Sequence, residues 1–352
     1  MQSMHLNRVV NKIKTAIDDL SLDLKGKIVL TEAATGSYCV TPIIAALSGA
    51  EKVYAFTQST KYGTIEDVRK QTNSLIKILP EISKKIEIIT ELSPGIISSA
   101  DVITNSGHLR PINAEKLQFV KKGCVISLMY ESWELRESDI DVKYCKQKNI
   151  IIGATNERHP SIDVFNYLGD MALKQIFDAG LNPYNNKFIL LCNNEFGPYI
   201  AKTLSKVCDQ LCVIDNTSNK KKYSGLKVDW SDSFRNINIP EKYKDSDGIL
   251  FTAHPFNKTW IGDAHSDIPI EILMNQMDNP YIIRFAGDID EEYCANKIKF
   301  YPKNVVSGHM GIIPSEIGGD PIIRLQSGGL KVAEYLIKGE CIYNNSSLLD
   351  KL

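Results

Sequence analysis

The strongest constraint on the fold of this chain is an approximate internal repeat of strand, tight turn, helix and strand. In the first copy these four parts lie at 27–30, 32–37, 40–47 and 52–56. In the second copy they lie at 187–192, 193–198, 199–206 and 211–214. Strands that alternate with helices in this way are typical of parallel sheets covered on both faces.

The later parts of the two copies also correspond. Segments 99–108 and 245–254 each hold a strand that ends at a histidine, His108 in the first and His254 in the second, followed by a turn with proline. We therefore predict an α/β fold of two tandem Rossmann-like domains, with parallel sheets and an interdomain cleft. Ligands bind such sheets at the carboxyl ends of the strands, where both histidines fall.

The boundaries between these domains are predicted from turn and linker residues. A long helix is predicted at 162–179, ended by Gly180, and Pro183 follows in a linker. We place the N-terminal Rossmann-like domain at 1–184 and the second domain, the candidate nucleotide-binding one, at 185–326. The C-terminal helix, in 327–352, is expected to return to the first domain.

Composition excludes several classes of function. The 352 residues include 41 basic and 42 acidic side chains, a formal net charge of −1, which gives no bulk attraction to nucleic acid or to an anionic membrane. The chain lacks both an apolar run of about 18 residues and a secretory signal. Eight cysteines form no CxxC pair, and no histidine completes a metal set. We expect a cytoplasmic protein with reduced thiols and no metal site.

Two passages resemble a known family. Residues 302–311, read with the segments 112–117 and 121–126, resemble the D-isomer-specific 2-hydroxyacid dehydrogenases and, more loosely, the S-adenosylhomocysteine hydrolases. Both are two-domain Rossmann proteins. In the dehydrogenases a histidine after a Pro-Asn-Val strand is the catalytic acid/base, and the resemblance implies that role for His309. It also implies that Glu292, in the acidic run 288–292, orients this histidine.

The chain departs from that family at two motifs. The family carries a GxGxxG turn, of which only Gly36 remains in the first copy and only Gly197 in the second. The family also has an arginine that binds the substrate carboxylate. Glu131 holds that place in the first copy, and in the second the place falls near Ala286, close to Arg284.

A nicotinamide dinucleotide is predicted on the second copy, either NAD or NADP. Asn194, Phe196 and Gly197 lie in its first turn and are predicted to contact the cofactor, as are His254 and, in the first copy, Gly36. Asp215 ends the second strand, where an acid commonly binds a ribose hydroxyl and favours NAD. The basic run 220–222 favours a 2′-phosphate instead.

Two further side chains are catalytic candidates. Glu131 lies between Tyr130 and Trp133, and a carboxylate against apolar rings has a raised pKa suited to acid or base chemistry. The competing interpretation is a helix-capping acid, because Glu134 and Glu137 follow closely. His108 either faces a polar ligand or belongs to the scaffold.

Three hypotheses of function follow from these patterns. The first is an NAD(P)-dependent oxidoreductase acting on a small polar substrate in the interdomain cleft. The second is a transferase that uses S-adenosylmethionine or another nucleotide, which has no pyrophosphate to bind in a glycine-rich turn. The third is a non-catalytic tandem Rossmann binding or assembly protein. A small-molecule substrate is the expected partner, and a homodimer is one of the assemblies left open.

Overall fold

The computed structural model describes residues 3–340 and 348–350. The chain divides into two compact units, and each is treated by itself. Unit 1 comprises 1–164 together with 318–352, and unit 2 comprises 165–317. The first division, after residue 164, comes about 20 residues before the boundary drawn from the sequence after residue 184. The second division, after residue 317, comes about 9 residues before the boundary drawn after residue 326.

Unit 1 is built on a parallel sheet with one antiparallel strand at its edge. Its parallel strands are β1 Ile28–Glu32, β2 Lys52–Phe56, β3 Ile86–Ile89, β4 Val102–Thr104, β5 Val125–Ser127 and β6 Ile151–Thr155. Its helices before residue 164 are α1 Ser3–Leu20, α2 Thr41–Leu47, α3 Ile65–Ile76, α4 Pro94–Ser99, α5 Ala114–Leu117 and α6 Val142–Gln147. The parallel strands lie in the order β3-β2-β1-β4-β5-β6. This order defines the dinucleotide-binding fold, so the predicted fold class is confirmed for this unit.

Unit 2 repeats the arrangement. Its elements are α7 Tyr167–Asp178, β7 Lys187–Cys192, α8 Phe196–Val207, β8 Gln210–Asp215, β9 Asp229–Asp232, β10 Gly248–Thr252, β11 Thr259–Gly262, β12 Ile268–Pro269, α9 Ile270–Gln276, β13 Tyr281–Ala286, β14 Asp288–Ile289, α10 Glu291–Cys294 and β15 Lys299–Tyr301. The main sheet has the order β15-β13-β10-β7-β8-β9, and β12, β11 and β14 form a small second sheet. The internal repeat in the sequence is thus a repeat of topology.

The C-terminal part of the chain returns to unit 1. Helix α11, Asp320–Lys338, packs against α1 and against the strands β5 and β6, and β16, Leu349–Asp350, pairs antiparallel with β6. Two glycines within α11 allow this approach. A Cβ on Gly329 would overlap the sulfur of Met129, and one on Gly328 would lie 3.0 Å from Ile162. Residues 318–326 therefore belong with the first unit.

Most of the helix predicted at 162–179 is α7, which belongs to unit 2. It is interrupted at its start, where Val164–Asn166 forms a single 3₁₀ turn before α7 begins. Helix α7 packs against α8, and Gly169 makes the close approach, since a Cβ there would overlap the side chain of Thr203. Among residues 3–340 and 348–350, no helix combines the length and apolar character that crossing a membrane requires.

The packing of α7 on α8 gives a direct prediction. We expect Gly169→Ala to lower the free energy of unfolding by about 1–3 kcal/mol, because the added methyl group must displace Thr203 between two packed helices. Urea denaturation followed by far-ultraviolet circular dichroism measures the change. Gly95→Ala is the matched control, since its Cβ would meet only the Ser93 hydroxyl at 3.9 Å. Equal stabilities for the two variants would contradict the described contact.

Candidate functional site

In each unit the candidate side chains gather at the carboxyl edge of the sheet. The first and fourth strands are neighbours there, β1 with β4 in unit 1 and β7 with β10 in unit 2. The chain leaves these two strands in opposite directions, which opens a crevice at the strand ends. The turns that follow the four strands carry Gly36, His108, Gly197 and His254. The two edges differ in how their polar groups are used.

The first turn of unit 2 is packed rather than open. Helix α8 begins at Phe196, three residues earlier than predicted, so Phe196 and Gly197 are helical and buried. A Cβ on Gly197 would overlap the Tyr223 hydroxyl and would lie 2.6 Å from the sulfur of Cys192. The missing side chain at Gly197 therefore permits close packing of a helix on a strand.

Asn194 links this turn to the neighbouring strand. Its side-chain amide donates to the Thr252 hydroxyl at 2.9 Å, and its oxygen accepts from the Phe196 backbone N–H at 3.1 Å. The side chain of Asn193 accepts from the His254 N–H at 2.8 Å. The His254 side chain is exposed, and its ring meets Phe256 edge-on. The N–H of Phe196, at the start of α8, therefore already donates to Asn194 and is not free to donate to a phosphate.

Asp215 is fully buried at the end of β8. Its carboxylate accepts hydrogen bonds from the Tyr223 hydroxyl at 2.8 Å, the Asn219 amide at 2.9 Å and the Asn216 N–H at 2.6 Å. Burial raises the pKa of this carboxyl. Tyr223 also lies 3.1 Å from the sulfur of Cys192. The position where a ribose hydroxyl would meet this acid is filled by a tyrosine of the same chain, so this turn does not fit a dinucleotide bound through glycines and a ribose-binding acid.

The segment that carries His309 is held by two acids. The Asp288 carboxylate accepts from the Gly308 N–H at 3.1 Å and from the Ser307 hydroxyl at 2.5 Å. Residues 302–310 are irregular, with a turn at 307–308, where the resemblance implied a strand. Strand β15 ends at Tyr301, and Asn304 has a left-handed φ of 58°, which extended backbone does not have. His309 is an exposed residue near the end of this segment.

Glu291 holds the start of the same segment. Its carboxylate accepts from the backbone N–H groups of Asn304 at 2.8 Å and Val305 at 3.3 Å. Glu292, which the resemblance pointed to, is the next residue and lies exposed on α10. The start of this segment is thus bound by Glu291, the neighbour of the predicted acid, and its end by Asp288.

Arg284 connects these two acids beneath the segment. It is 1% exposed, pairs with Asp288, donates to Glu291 at 3.3 Å and donates to the Gly287 carbonyl at 2.9 Å. Burial lowers the pKa of its guanidinium. A buried arginine that is paired with two of the chain's own acids supports the backbone under His309 and does not have the exposed guanidinium that clamps a substrate carboxylate.

In unit 1 an acid that the sequence analysis did not single out lies at the centre of the edge. Glu32 ends β1, is 6% exposed, and accepts the backbone N–H of His108 at 2.9 Å. Burial raises the pKa of Glu32. Gly36, with a left-handed φ of 67°, donates its N–H to the Gln71 side chain at 2.7 Å. An acid placed directly at a strand end was the signal that could have identified Glu32.

Buried polar atoms without partners are concentrated at the same edge. Among the described residues, eight buried side-chain atoms have no hydrogen-bond partner, and four of them follow or end strands of the unit 1 sheet. These are Thr57 Oγ1, Asn105 Nδ2, His108 Nδ1 and Ser127 Oγ. Because buried polar groups are nearly always hydrogen-bonded in folded proteins, such a concentration indicates a site for bound water or a ligand.

Glu131 is the centre of a group of acids at the ends of β5 and β6. It is 1% exposed and accepts from the Trp133 indole N–H at 2.5 Å, from Arg158 at 3.1 Å and from the Glu157 N–H at 3.2 Å. Glu134 in turn accepts the N–H of Glu131 at 3.2 Å, within a single 3₁₀ turn. The capping interpretation therefore holds for both residues, because the Glu131 side chain accepts the backbone N–H of Glu134 in the same turn. The Glu131 carboxylate also binds groups that follow β6.

The protonation of these acids is strongly perturbed. Burial, reinforced by the charge of Glu131, raises the pKa of Glu134 to about 7. Burial and the charges of Glu134 and Glu131 raise the pKa of Glu157 well above its ordinary value. Clustered acids with raised pKa values are typical of functional sites, although structural networks produce them too.

No family model matches the chain, and no curated protein matches it. Solved structures do resemble it. One component of the dipicolinate synthase from Bacillus halodurans is 12% identical, with a TM-score of 0.54, and the match covers 91% of this chain and 100% of that one. The corresponding dipicolinate synthase chain from Bacillus subtilis is 12% identical, with a TM-score of 0.55, and the match covers 91% and 99%. The chain has the tandem Rossmann fold of these proteins. The fold implied by the resemblance to two-domain Rossmann proteins is thereby confirmed.

Within this tandem Rossmann protein, the raised pKa of Glu134 makes stability depend on pH. The folded state holds a proton on this carboxyl up to about pH 7, whereas the unfolded state loses it near pH 4.5. The stability that this protonated carboxyl contributes to the folded state is fully present below pH 4.5 and is lost as the pH rises to 7. Glu134→Gln should therefore gain about 1–3 kcal/mol of stability relative to the natural chain between pH 5 and pH 8. Urea denaturation at both values measures this gain.

Glu137→Gln is the control for that comparison, because Glu137 is an exposed acid three residues along the same segment. We expect Glu137→Gln to change the free energy of unfolding by the same amount at the lower and at the higher pH of that comparison. A Glu134→Gln variant that behaved in the same way would show that folding does not raise the pKa of this carboxyl, and would contradict the prediction.

Proposed function

We propose that this chain is an NAD(P)-dependent oxidoreductase that acts on a small polar substrate, with His309 as the group that transfers a proton. The observation that carries the proposal is the support beneath His309. An exposed imidazole stands on a backbone anchored by Asp288, Glu291 and the buried Arg284. A titratable side chain on a backbone segment that is held by hydrogen bonds to buried or partly buried acids is what proton transfer at a defined position requires.

The same geometry restricts how a dinucleotide is held. A nicotinamide cofactor supplies the hydride chemistry when it is bound. Asp215 and the turn at 193–198 are hydrogen-bonded within the chain, so the proposal assigns them no contact with the ribose or the phosphates. It follows that Asp215 does not select between NAD and NADP, and we leave that choice to experiment.

A second candidate function has a specific observation in its favour. The Tyr223 hydroxyl bridges Cys192 and Asp215 and fills the space beside Gly197. A tandem Rossmann protein that no longer uses a nucleotide, and acts by binding or assembly, would have this arrangement. A transferase that uses S-adenosylmethionine is the third alternative, because that ligand has no pyrophosphate.

Thermal unfolding with each cofactor separates these candidates. We expect the midpoint of the full-length protein to rise with NAD, NADH, NADP or NADPH, since a ligand at a hundred times its Kd stabilises the folded state by about 2.7 kcal/mol. A rise with S-adenosylmethionine alone would replace the proposal by group transfer. If none of the five ligands moves the midpoint, the binding or assembly function is preferred.

Substitution of the proposed proton-transfer group tests its role. With the cofactor found above and a substrate identified by screening, His309→Gln should lower kcat/KM by about 10²–10⁴ while leaving the cofactor-induced rise in midpoint unchanged. His265→Gln, at an exposed histidine in the same unit, is the control and should retain full activity. Undiminished turnover in His309→Gln would remove this residue from the mechanism.

A further inference from the structure

The turn that follows β4 brings an acid and an arginine to the same glycine. A Cβ on Gly107 would lie 3.4 Å from Oε2 of Glu32 and 3.5 Å from Nη2 of Arg110. Apart from the chain neighbours Ser106 and His108, no other atom of the described residues lies within 4 Å of that point. Gly107 itself is exposed. The face of the turn between the carboxylate and the guanidinium is therefore open, because Gly107 has no side chain to cover it.

Glu32 has unused capacity to accept hydrogen bonds. It is 6% exposed, and among the described residues its carboxylate accepts a single hydrogen bond, from the His108 N–H at 2.9 Å. An ionised carboxylate offers about four lone-pair positions, so most of them have no donor. Burial raises the pKa of this carboxyl, against the opposing effects of that hydrogen bond and of the charges of His108 and Arg110. A further donor at Glu32 would offset part of the cost of burying it.

Arg110 is also only partly used. Its Nη1 donates to Asp139 at 3.2 Å, and its side chain is 33% exposed. Among the described residues no hydrogen bond involves Nη2, the atom beside Gly107, and the guanidinium forms no ion pair with Glu32. Two opposite charges therefore flank a gap that a polar group of another molecule can bridge.

A chain of hydroxyl groups leads from the sheet to this turn. Oγ1 of Thr31 lies 2.8 Å from Oγ1 of Thr104, which lies 2.7 Å from Oγ of Ser106. Three hydroxyls carry three protons and the two contacts use two, so one proton has no acceptor among the described residues. Ser106, the residue before Gly107, is 5% exposed, whereas the two threonines are at 0%. The chain can therefore direct its remaining proton to an acceptor at the turn.

The charges at the gap favour an uncharged partner. Glu32 and Asp139 disfavour an anion, and Arg110 disfavours a cation. A hydroxyl group is both a donor and an acceptor, so it can donate to the carboxylate and accept from the guanidinium at the same time.

We propose that this turn binds a small uncharged polyol, with one hydroxyl over Gly107 between Glu32 and Arg110 and a second oxygen that accepts from Ser106. The site is formed entirely by unit 1. Calling the polyol the substrate rests on the proposed oxidoreductase function, whereas its binding does not. Uncharged molecules with neighbouring hydroxyl groups are therefore the class in which we would seek the substrate.

Erythritol, a small acyclic polyol, is the probe that tests the site. Its tetra-O-methyl ether keeps every oxygen and loses every hydroxyl proton. In full-length protein labelled with ¹⁵N at its 22 glycines, the amide signal that is missing from Gly107→Ala identifies Gly107. We expect erythritol to shift this signal in a saturable way, with a Kd at least tenfold lower than that of the ether. The signal of Gly95, identified in the same way, should not move.

Matched variants locate the binding. Gly107 lies outside the left-handed region, so Gly107→Ala adds only a methyl group at the gap and should raise the Kd of erythritol at least tenfold. Gly95→Ala, at an exposed glycine of the same unit whose Cβ would meet only the Ser93 hydroxyl, should leave the Kd unchanged. Glu32→Gln keeps an oxygen for the His108 N–H and should raise the Kd several-fold, because a charged acceptor forms the stronger hydrogen bond.

Saturation-transfer NMR of the ligand measures the Kd for each variant, and thermal midpoints confirm that each variant is folded before its titration is interpreted. Four results would overturn the proposal. They are no saturable shift of the Gly107 signal, equal affinity for erythritol and its ether, erythritol binding that survives Gly107→Ala, and a Kd for the carboxylate erythronate at Gly107 tenfold below that of erythritol. The first would leave only water at the gap, and the last would make it an anion site.

The proposed function fails separately from this site. Erythritol binding at Gly107 without any response to nicotinamide cofactors would retain the polyol site and remove the oxidoreductase. A response to nicotinamide cofactors without polyol binding would retain the oxidoreductase and remove the polyol as its substrate.

Discussion

The parallel pairing of six strands in each unit is the constraint on which the other features depend. Strands such as β7 and β10 are buried along nearly their whole length, because helices cover both faces of the sheet. Polar side chains are therefore placed where the strands end. Since parallel strands end at one edge, side chains far apart in the sequence, such as Glu32 and Glu157, gather there.

The two edges satisfy their buried polar groups in different ways. In unit 2, Asp215, Asp288 and Arg284 each bind several groups of the same chain, which stabilises a rigid base for His309. In unit 1, Asn105 and Ser127 each keep a buried side-chain atom without a partner among the described residues, and burial raises the pKa of Glu134 and of Glu157. A buried polar group costs free energy until it finds a partner. Among the described residues, Asp215, Asp288 and Arg284 of unit 2 thus find their partners within the chain, whereas Asn105 and Ser127 of unit 1 leave buried polar atoms to which water or a ligand could bind.

Sequence patterns were sufficient where local physics determines the outcome. Apolar runs, small-residue turns and the two histidine–proline segments predicted both sheets, because period and turn chemistry act over a few residues. They failed where a distant group decides. Residues 304–306 are irregular where the resemblance implied a strand, and Glu291 binds the backbone N–H groups of Asn304 and Val305 there. Bonds between residues 13 and 14 positions apart are not visible as a local pattern.

The sequence by itself determined the class of fold, the repeat of that fold, and the strand ends at which polar side chains would collect. Only the tertiary structure decided how those side chains are used. Asp215 and Gly197 have the residue types of a nucleotide site, yet Tyr223 fills the space between them. Glu131 is the acid at the start of a 3₁₀ turn, as the capping interpretation has it, and folding adds Glu157 and Arg158 from the end of β6 as partners. The type of a residue determines which groups it can bind. The neighbours that folding brings to it determine whether its hydrogen-bonding groups are already used within the chain or are available to a ligand.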